Sequence, residues 1–139
     1  MTPITPLSSV LDLLQPALAF PPTLDLSPAT LVGLGGALGA LLRYGTTRAL
    51  DAEAFPYGTF AVNVVGSFVL GLLTFGGVGG DATLLLGVGA CGAYTTFSSF
   101  AYDTVRMAET GDPRGGVTNA FGTLLAALAA VGLAWLLVG

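Results

Sequence analysis

The sequence contains no histidine and no lysine, and its only cysteine is Cys91. Zinc sites in proteins are built largely from histidine and cysteine side chains, and a disulfide within one chain needs two cysteines. The composition therefore excludes a conventional zinc site, a cysteine–histidine nucleophile pair and an intrachain disulfide. Cys91 lies in an apolar run, and we interpret it as a small packing residue.

Charge is scarce as well. Only 9% of the 139 residues are charged, against about 25% in an ordinary soluble domain. Four arginines stand against eight acidic residues, which gives a formal net charge of −4. The chain therefore has no basic stripe for nucleic-acid phosphates or for an anionic membrane surface. With 53% hydrophobic residues, the chain is predicted to be an all-α integral membrane protein.

Four apolar segments are long enough to span a bilayer, which takes about 20 residues. They predict helices over residues 29–49, 55–78, 82–103 and 115–138. Ser27 and Pro28 are typical of a helix start, because a hydroxyl can cap the first turn and proline fits its first position. The glycine run 76–80 is predicted as a turn, and residues 103–114 as a short link.

The N-terminal segment differs from the rest of the chain. Residues 1–28 hold six of the eight prolines and lack arginine and lysine, so they have no basic region of the kind that opens a signal peptide. We predict two parts: a proline-rich extension over 1–28, disordered or lying on the membrane surface, and a four-helix transmembrane domain over 29–139.

Small residues in the first predicted helix indicate close helix packing. Gly35 and Gly39 form a small-xxx-small pair, with Gly36 and Ala40 beside them. Such pairs let two helix backbones approach closely within a membrane. This pattern predicts a tight bundle and does not by itself indicate a function.

Polar side chains recur on single faces of two predicted helices. Thr59, Asn63 and Ser67 are spaced by four residues, as are Asn119 and Thr123, so each set shares one helix face. Hydroxyls and amides without carboxylates can donate hydrogen bonds to a dehydrated anion. They can equally serve as hydrogen bonds between helices, and both interpretations remain open at this point.

The third segment has an unusual centre. Glycines and adjacent hydroxyl residues from Gly87 to Ser99 are poor helix formers, so a helix broken in mid-membrane is predicted. Non-helical backbone at that depth requires burial in protein or a cavity beside it. Phe97 and Phe100 lie on one face, and the positive edge of an aromatic ring can favour an anion.

These segments resemble the Fluc (CrcB) family of fluoride channels. The resemblance covers residue 29 to the end and rests on three motifs in order: GGALGALLRY at 35–44, GTFAVNVVGSF at 58–68 and GAYTTFSSF at 92–100. It implies an antiparallel, dual-topology dimer of four-helix subunits in the cell (plasma) membrane, with two pores that export fluoride passively. An enzyme is not expected.

The resemblance also implies roles for individual residues. The fluoride pathway would comprise Asn63, Phe97, Phe100, Thr59, Ser98, Ser99, Asn119 and Thr123, the last two by a looser match. Arg43 would lie at the pore mouth. The backbone carbonyls of Gly92 and Thr95 would hold a structural Na⁺ ion at the dimer interface, and Asp103 takes a position that is usually acidic in the family.

Two questions remain open from the sequence. All four arginines fall at links on one side of the predicted bundle, which favours a single insertion orientation with both termini outside. The second subunit is therefore either an identical chain or an oppositely oriented sister chain. Two other functions are considered: a proton-coupled exporter of small cationic drugs, which would need a carboxylate within the membrane, and a non-transporting membrane assembly subunit.

Overall fold

The computed structural model describes residues 26–50 and 55–139, so nearly all of the predicted N-terminal extension lies outside the described residues. Every regular element in the two described ranges is a helix. The helices are α1 (Pro28–Ala49), α2 (Tyr57–Phe75), α3 (Thr83–Cys91), α4 (Gly92–Tyr94), α5 (Phe97–Glu109) and α6 (Pro113–Val138).

Local sequence signals set several helix ends. The Ser27 side chain accepts a hydrogen bond from the backbone N–H of Thr30, and Pro28 opens α1, which confirms the predicted start. Asp112 caps α6 in the same way through Gly115. The predicted glycine turn is also confirmed, because Gly77 and Gly80 adopt positive φ values of 70° and 61° there, which glycine tolerates best.

Three helical stretches in the described residues are long and apolar enough to cross a membrane: Tyr57–Phe75, Thr83–Glu109 and Pro113–Val138. Their length and composition identify an all-α membrane protein. Helix α1 has 22 residues, a length of about 33 Å, but it carries Arg43 and Arg48 and is not among these three.

The predicted link over residues 103–114 was wrong in its first half. Helix α5 continues to Glu109, and the turn before α6 is short, with Gly111 at a φ of 96°. The uncharged run that predicts the third span ends before Asp103. A single charged residue does not end a helix, so α5 continues through it. Asp103 is therefore inside a helix rather than in a link.

The glycine pair of α1 packs against the backbone of α3, which confirms the predicted close approach. Helix α3 is π-helical, a wider form that is rare and usually short. A Cβ atom placed on Gly35 would collide with the Leu85 carbonyl, and one on Gly39 with the Ala90 carbonyl. The backbone of Gly36 lies close to Gly89 of α3, but a Cβ atom on Gly36 would meet nothing within 4 Å, so a side chain there points away from this contact.

This contact gives a prediction with an internal control. Gly39→Val is expected to destabilise the protein strongly, because the clash is with backbone that no rotamer change can move. Gly36→Val adds the same side chain to the same helix at an open position. Thermal unfolding in detergent should show a lower midpoint for the first variant only, and equal midpoints would contradict the packing described here.

The junction between α4 and α5 lies between two other helices. Helix α4 packs against α1, and both α2 and α5 pack against α6. The polar contacts of the junction are made by Arg43 of α1 and Asn63 of α2.

Candidate functional site

The chain between α4 and α5 leaves helical geometry at two residues. Thr95 has ψ 158°, and Thr96 has φ −150° and ψ 119°, which are extended conformations. Helix α5 then begins at Phe97, and the Thr96 hydroxyl accepts a hydrogen bond from the Ser99 N–H at 3.2 Å. Thr96 is thus an N-cap that starts a new helix.

Asn63 on α2 holds this interruption with two hydrogen bonds. Its Oδ1 accepts from the Thr96 N–H at 2.8 Å, and its Nδ2 donates to the Thr96 carbonyl at 3.0 Å. In an unbroken helix the Thr96 N–H would instead donate to the Gly92 carbonyl. The amide of Asn63 therefore replaces helix hydrogen bonds that the extended residues cannot make.

The two carbonyls predicted as sodium ligands lie at the same interruption. The Gly92 carbonyl does not receive its usual hydrogen bond from the Thr96 N–H, because that N–H donates to Asn63. The Thr95 carbonyl would be the acceptor for the Ser99 N–H, which binds the Thr96 hydroxyl instead. Arg43 Nη1 lies 3.4 Å from the Thr95 oxygen, so this arginine turns toward the interruption. Neutral carbonyl oxygens are suitable ligands for a hard cation.

The two phenylalanines lie together on the first turn of α5. Their ring centroids are 5.9 Å apart, with the rings tilted by 48°. Phe97 is 80% exposed in the single chain, whereas Phe100 is half-buried. Ser98 and Ser99 are exposed beside them. The interruption thus presents two rings and two hydroxyls on the surface of the subunit.

Thr59 is predicted on the same helix face as Asn63, and the structure pairs it with a carboxylate. Its hydroxyl donates to Asp103 Oδ2 at 2.8 Å, from a position that is largely buried. Asn63 and Thr59 on α2 therefore bind α5 at two levels, one at its N-cap and one near its middle.

The polar pair of α6 lies inside the subunit. Asn119 is fully buried and Thr123 is 5% exposed. Asn119 Nδ2 donates to the Thr104 hydroxyl at 2.8 Å, and Thr123 donates to Asn119 Oδ1 at 3.4 Å. These two side chains lie behind α5 rather than on the exposed surface that carries Phe97.

Sequence reasoning missed two residues of this site. Thr96 received no role, although a threonine three residues before Ser99 is a typical helix cap. Thr104 was assigned to the link. Its spacing of four from Phe100 becomes informative only once α5 is known to continue, because residues four apart share a face of a helix.

Comparison with known proteins now identifies the family. Residues 30–135 match the sequence profile described as CrcB-like protein, Camphor Resistance (CrcB). The chain belongs to the CrcB family. The match covers all of α2–α5 and most of α1 and α6, with every predicted site residue, and it leaves the N-terminal extension outside.

Named CrcB relatives are similar over most of their length. Fluoride-specific ion channel FluC 2 of Haloarcula marismortui is 58% identical over 110 residues, 79% of this chain and 92% of the relative. Fluoride-specific ion channel FluC 1 of Halobacterium salinarum is 52% identical over 111 residues, 80% and 93% of the two chains. A Thermus thermophilus relative named fluoride-specific ion channel FluC is 42% identical over 105 residues, 70% and 84% of the two chains.

Proposed function

We propose that this protein is a fluoride-selective ion channel of the cell membrane, which lets fluoride leave the cell passively and relieves its toxicity. The observation that carries the proposal is the family membership, with relatives named as fluoride-specific channels at up to 58% identity. These relatives are channels, so the chain acts as a conduit and is not an enzyme.

The proposed architecture has four membrane spans, with α1 as the first and Thr83–Glu109 as a third span broken in mid-membrane. The position of Thr95 and Thr96 near the middle of that 27-residue stretch supports the break. The functional unit is an antiparallel, dual-topology dimer, in which a second subunit covers the exposed Phe97 ring. Its second subunit is an identical chain or a sister chain of opposite orientation.

Fluoride passes along the surface beside α5 in this proposal. A small anion that leaves water needs closely placed donors, and Ser98 and Ser99 supply hydroxyls there. The second N–H of Asn63 Nδ2 adds an amide donor, because an amide nitrogen carries two hydrogens and only one is needed for Thr96. The edges of Phe97 and Phe100 stabilise the ion more weakly. Weak, multiple sites let an ion leave as well as enter.

The other predicted residues take supporting places. The one hydrogen of the Thr59 hydroxyl is donated to Asp103, so Thr59 lines the pathway as a support for α5 and not as a donor to the ion. Arg43, proposed for the pore mouth, reaches the Thr95 carbonyl at the interruption in the single subunit. Asn119 and Thr123 flank the pathway from behind Phe100. Gly92 and Thr95 offer carbonyl oxygens to a structural Na⁺ ion at the dimer interface, where the ion would neutralise their partial negative charges.

Fluoride efflux tests the proposal directly. Purified protein in liposomes loaded with potassium fluoride should release fluoride, measured with a fluoride electrode, when an ionophore clamps the membrane potential. Liposomes loaded with potassium chloride are the matched control and should release little chloride. Release at the level of protein-free liposomes would reject the channel.

The drug-exporter alternative gains one observation from the structure, since Asp103 lies within α5. Such an exporter would take up a lipophilic cation in exchange for protons, and Asp103→Asn would abolish that exchange. A channel shows no cation uptake in either form. Cation uptake that depends on Asp103 would therefore replace the proposal, whereas fluoride release without cation uptake supports it.

A further inference from the structure

The hydroxyl of Thr104 joins α5 to α6. Its Oγ1 lies 2.7 Å from the Phe100 carbonyl, to which it donates, and it accepts a hydrogen bond from Asn119 Nδ2 at 2.8 Å. A hydroxyl has only one hydrogen. Because a carbonyl can only accept, that hydrogen is committed to Phe100 and the Thr104 oxygen is the acceptor for Asn119.

The hydrogen bonds on this side of α5 all run toward Phe100. Thr123 donates to Asn119, Asn119 to Thr104, and Thr104 to the Phe100 carbonyl. Bonds in such a series polarise and strengthen one another. The series is sealed from solvent at its centre, because Asn119 is fully buried.

Helix α6 comes unusually close at this point. A Cβ atom on Gly116 would lie 2.8 Å from the Thr104 carbonyl, so there is no room for a side chain between the two helices. Gly116 and Asn119 are on the same side of α6, one turn apart. The short distance lets the Asn119 amide reach Thr104 directly.

The orientation of α5 depends on such contacts. The extended residues Thr95 and Thr96 separate it from α4, so its direction is not inherited from the preceding helix. Asn63 holds the N-cap, and Thr104 holds the backbone of Phe100. Phe100 is half-buried, whereas Phe97 is 80% exposed.

We propose that Thr104 is a positioning residue that fixes the Phe100 ring beside the ion pathway, by tying the Phe100 carbonyl to Asn119 on α6. The inference rests on the proposed channel function for its consequence, since a displaced ring conducts fluoride less well. Its structural part, that Thr104 orients Phe100 and not Phe97, stands independently of transport.

The first test compares transport by three variants in liposomes. Thr104→Val keeps the shape but removes the hydroxyl, and fluoride efflux should fall about fivefold, the effect of about 1 kcal/mol. Thr104→Ser keeps the hydroxyl and should restore efflux. Thr110→Val is the matched control: Thr110 makes the same bond to a carbonyl four residues earlier, that of Arg106, but at the exposed end of α5, and its efflux should be unchanged.

The second test reads each ring separately. 4-Fluorophenylalanine is placed at position 100 or at position 97, and its ¹⁹F NMR signal is recorded for the dimer. Thr104→Val should shift or broaden the signal from position 100 and leave that from position 97 unchanged, while Thr104→Ser should return the first signal to its original position. Asn119→Leu removes the donor of the hydrogen bond between Asn119 and Thr104. It replaces Thr104→Val in this test if that variant does not form the dimer.

The outcomes separate the two proposals. An unmoved signal at position 100 in a folded Thr104→Val or Asn119→Leu protein overturns the positioning role, as does an equal change at both positions. Undiminished efflux in Thr104→Val overturns it as well. If the unaltered protein releases no fluoride, the channel fails, while the NMR comparison still decides whether Thr104 orients Phe100.

Discussion

Phe97→Ile is expected to lower fluoride efflux about a hundredfold, which corresponds to about 2.7 kcal/mol of barrier, and to leave the subunits folded and paired. The ring is 80% exposed in the single chain, so its removal leaves little cavity within the subunit. Isoleucine keeps the apolar contact but has no aromatic edge to stabilise an anion. The measurement is fluoride-electrode efflux from liposomes, with size-exclusion chromatography to check assembly.

Phe121→Ile is the matched control for this experiment. Phe121 is also a well-exposed ring, at 62%, but it lies on α6 rather than beside the interruption, so its efflux should equal that of the unaltered protein. Equal losses in both variants would show that exposed rings serve assembly and not transport. Fluoride efflux from Phe97→Ile equal to that of the unaltered protein would show that this ring is not part of the pathway.

Asn63→Leu is expected to have the largest effect on stability. Leucine has the same branched arrangement of side-chain heavy atoms but leaves the N–H and the carbonyl of Thr96 without the bonds described above. Each unpaired buried backbone group costs about 1–3 kcal/mol, so the loss should be about 2–6 kcal/mol, with efflux abolished. Chemical or thermal unfolding in detergent measures it, and Ser67→Ala, one turn further on the same face of α2, is the control.

Asn63→Asp makes the test sharper because the two forms of a carboxyl group differ in the bonds they can make. A protonated carboxyl offers one donor and one acceptor, as the amide does, whereas a carboxylate only accepts and would face the Thr96 carbonyl with like charge. The stability of this variant should therefore rise as the pH falls, relative to the unaltered protein. A variant that is as stable at neutral pH as at acid pH would contradict the two-bond arrangement.

Much of the fold follows from residues whose effect is local. Ser27 and Pro28 start α1, and the glycines after α2 allow its turn, because capping and positive φ depend on a few neighbouring atoms. The close approach of α1 also follows from Gly35 and Gly39, since their missing side chains permit it regardless of the partner. The sequence does not specify that this partner is a π-helix.

The details of the site depend on distant contacts, and these could not be derived from one helix at a time. The spacing of Thr59 and Asn63 indicates a shared polar face, but not that one binds Asp103 and the other the backbone of Thr96. Asn119 and Thr123 are predicted in the fluoride pathway, and in the structure Asn119 donates to Thr104 while Thr123 donates to Asn119. The end of α5 was misplaced because charge was taken as a boundary.

The packing of α1 on α3 has a mechanical consequence. Its contact is made between backbones at Gly35 and Gly39, and a backbone contact has no rotamers through which it could yield. Helix α5 follows two extended residues, and it has one close backbone approach, to Gly116 of α6, beside its side-chain hydrogen bonds to α2. Thermal fluctuations that change the width of the ion route should therefore arise from tilting of α5 against a stiff α1–α3 frame.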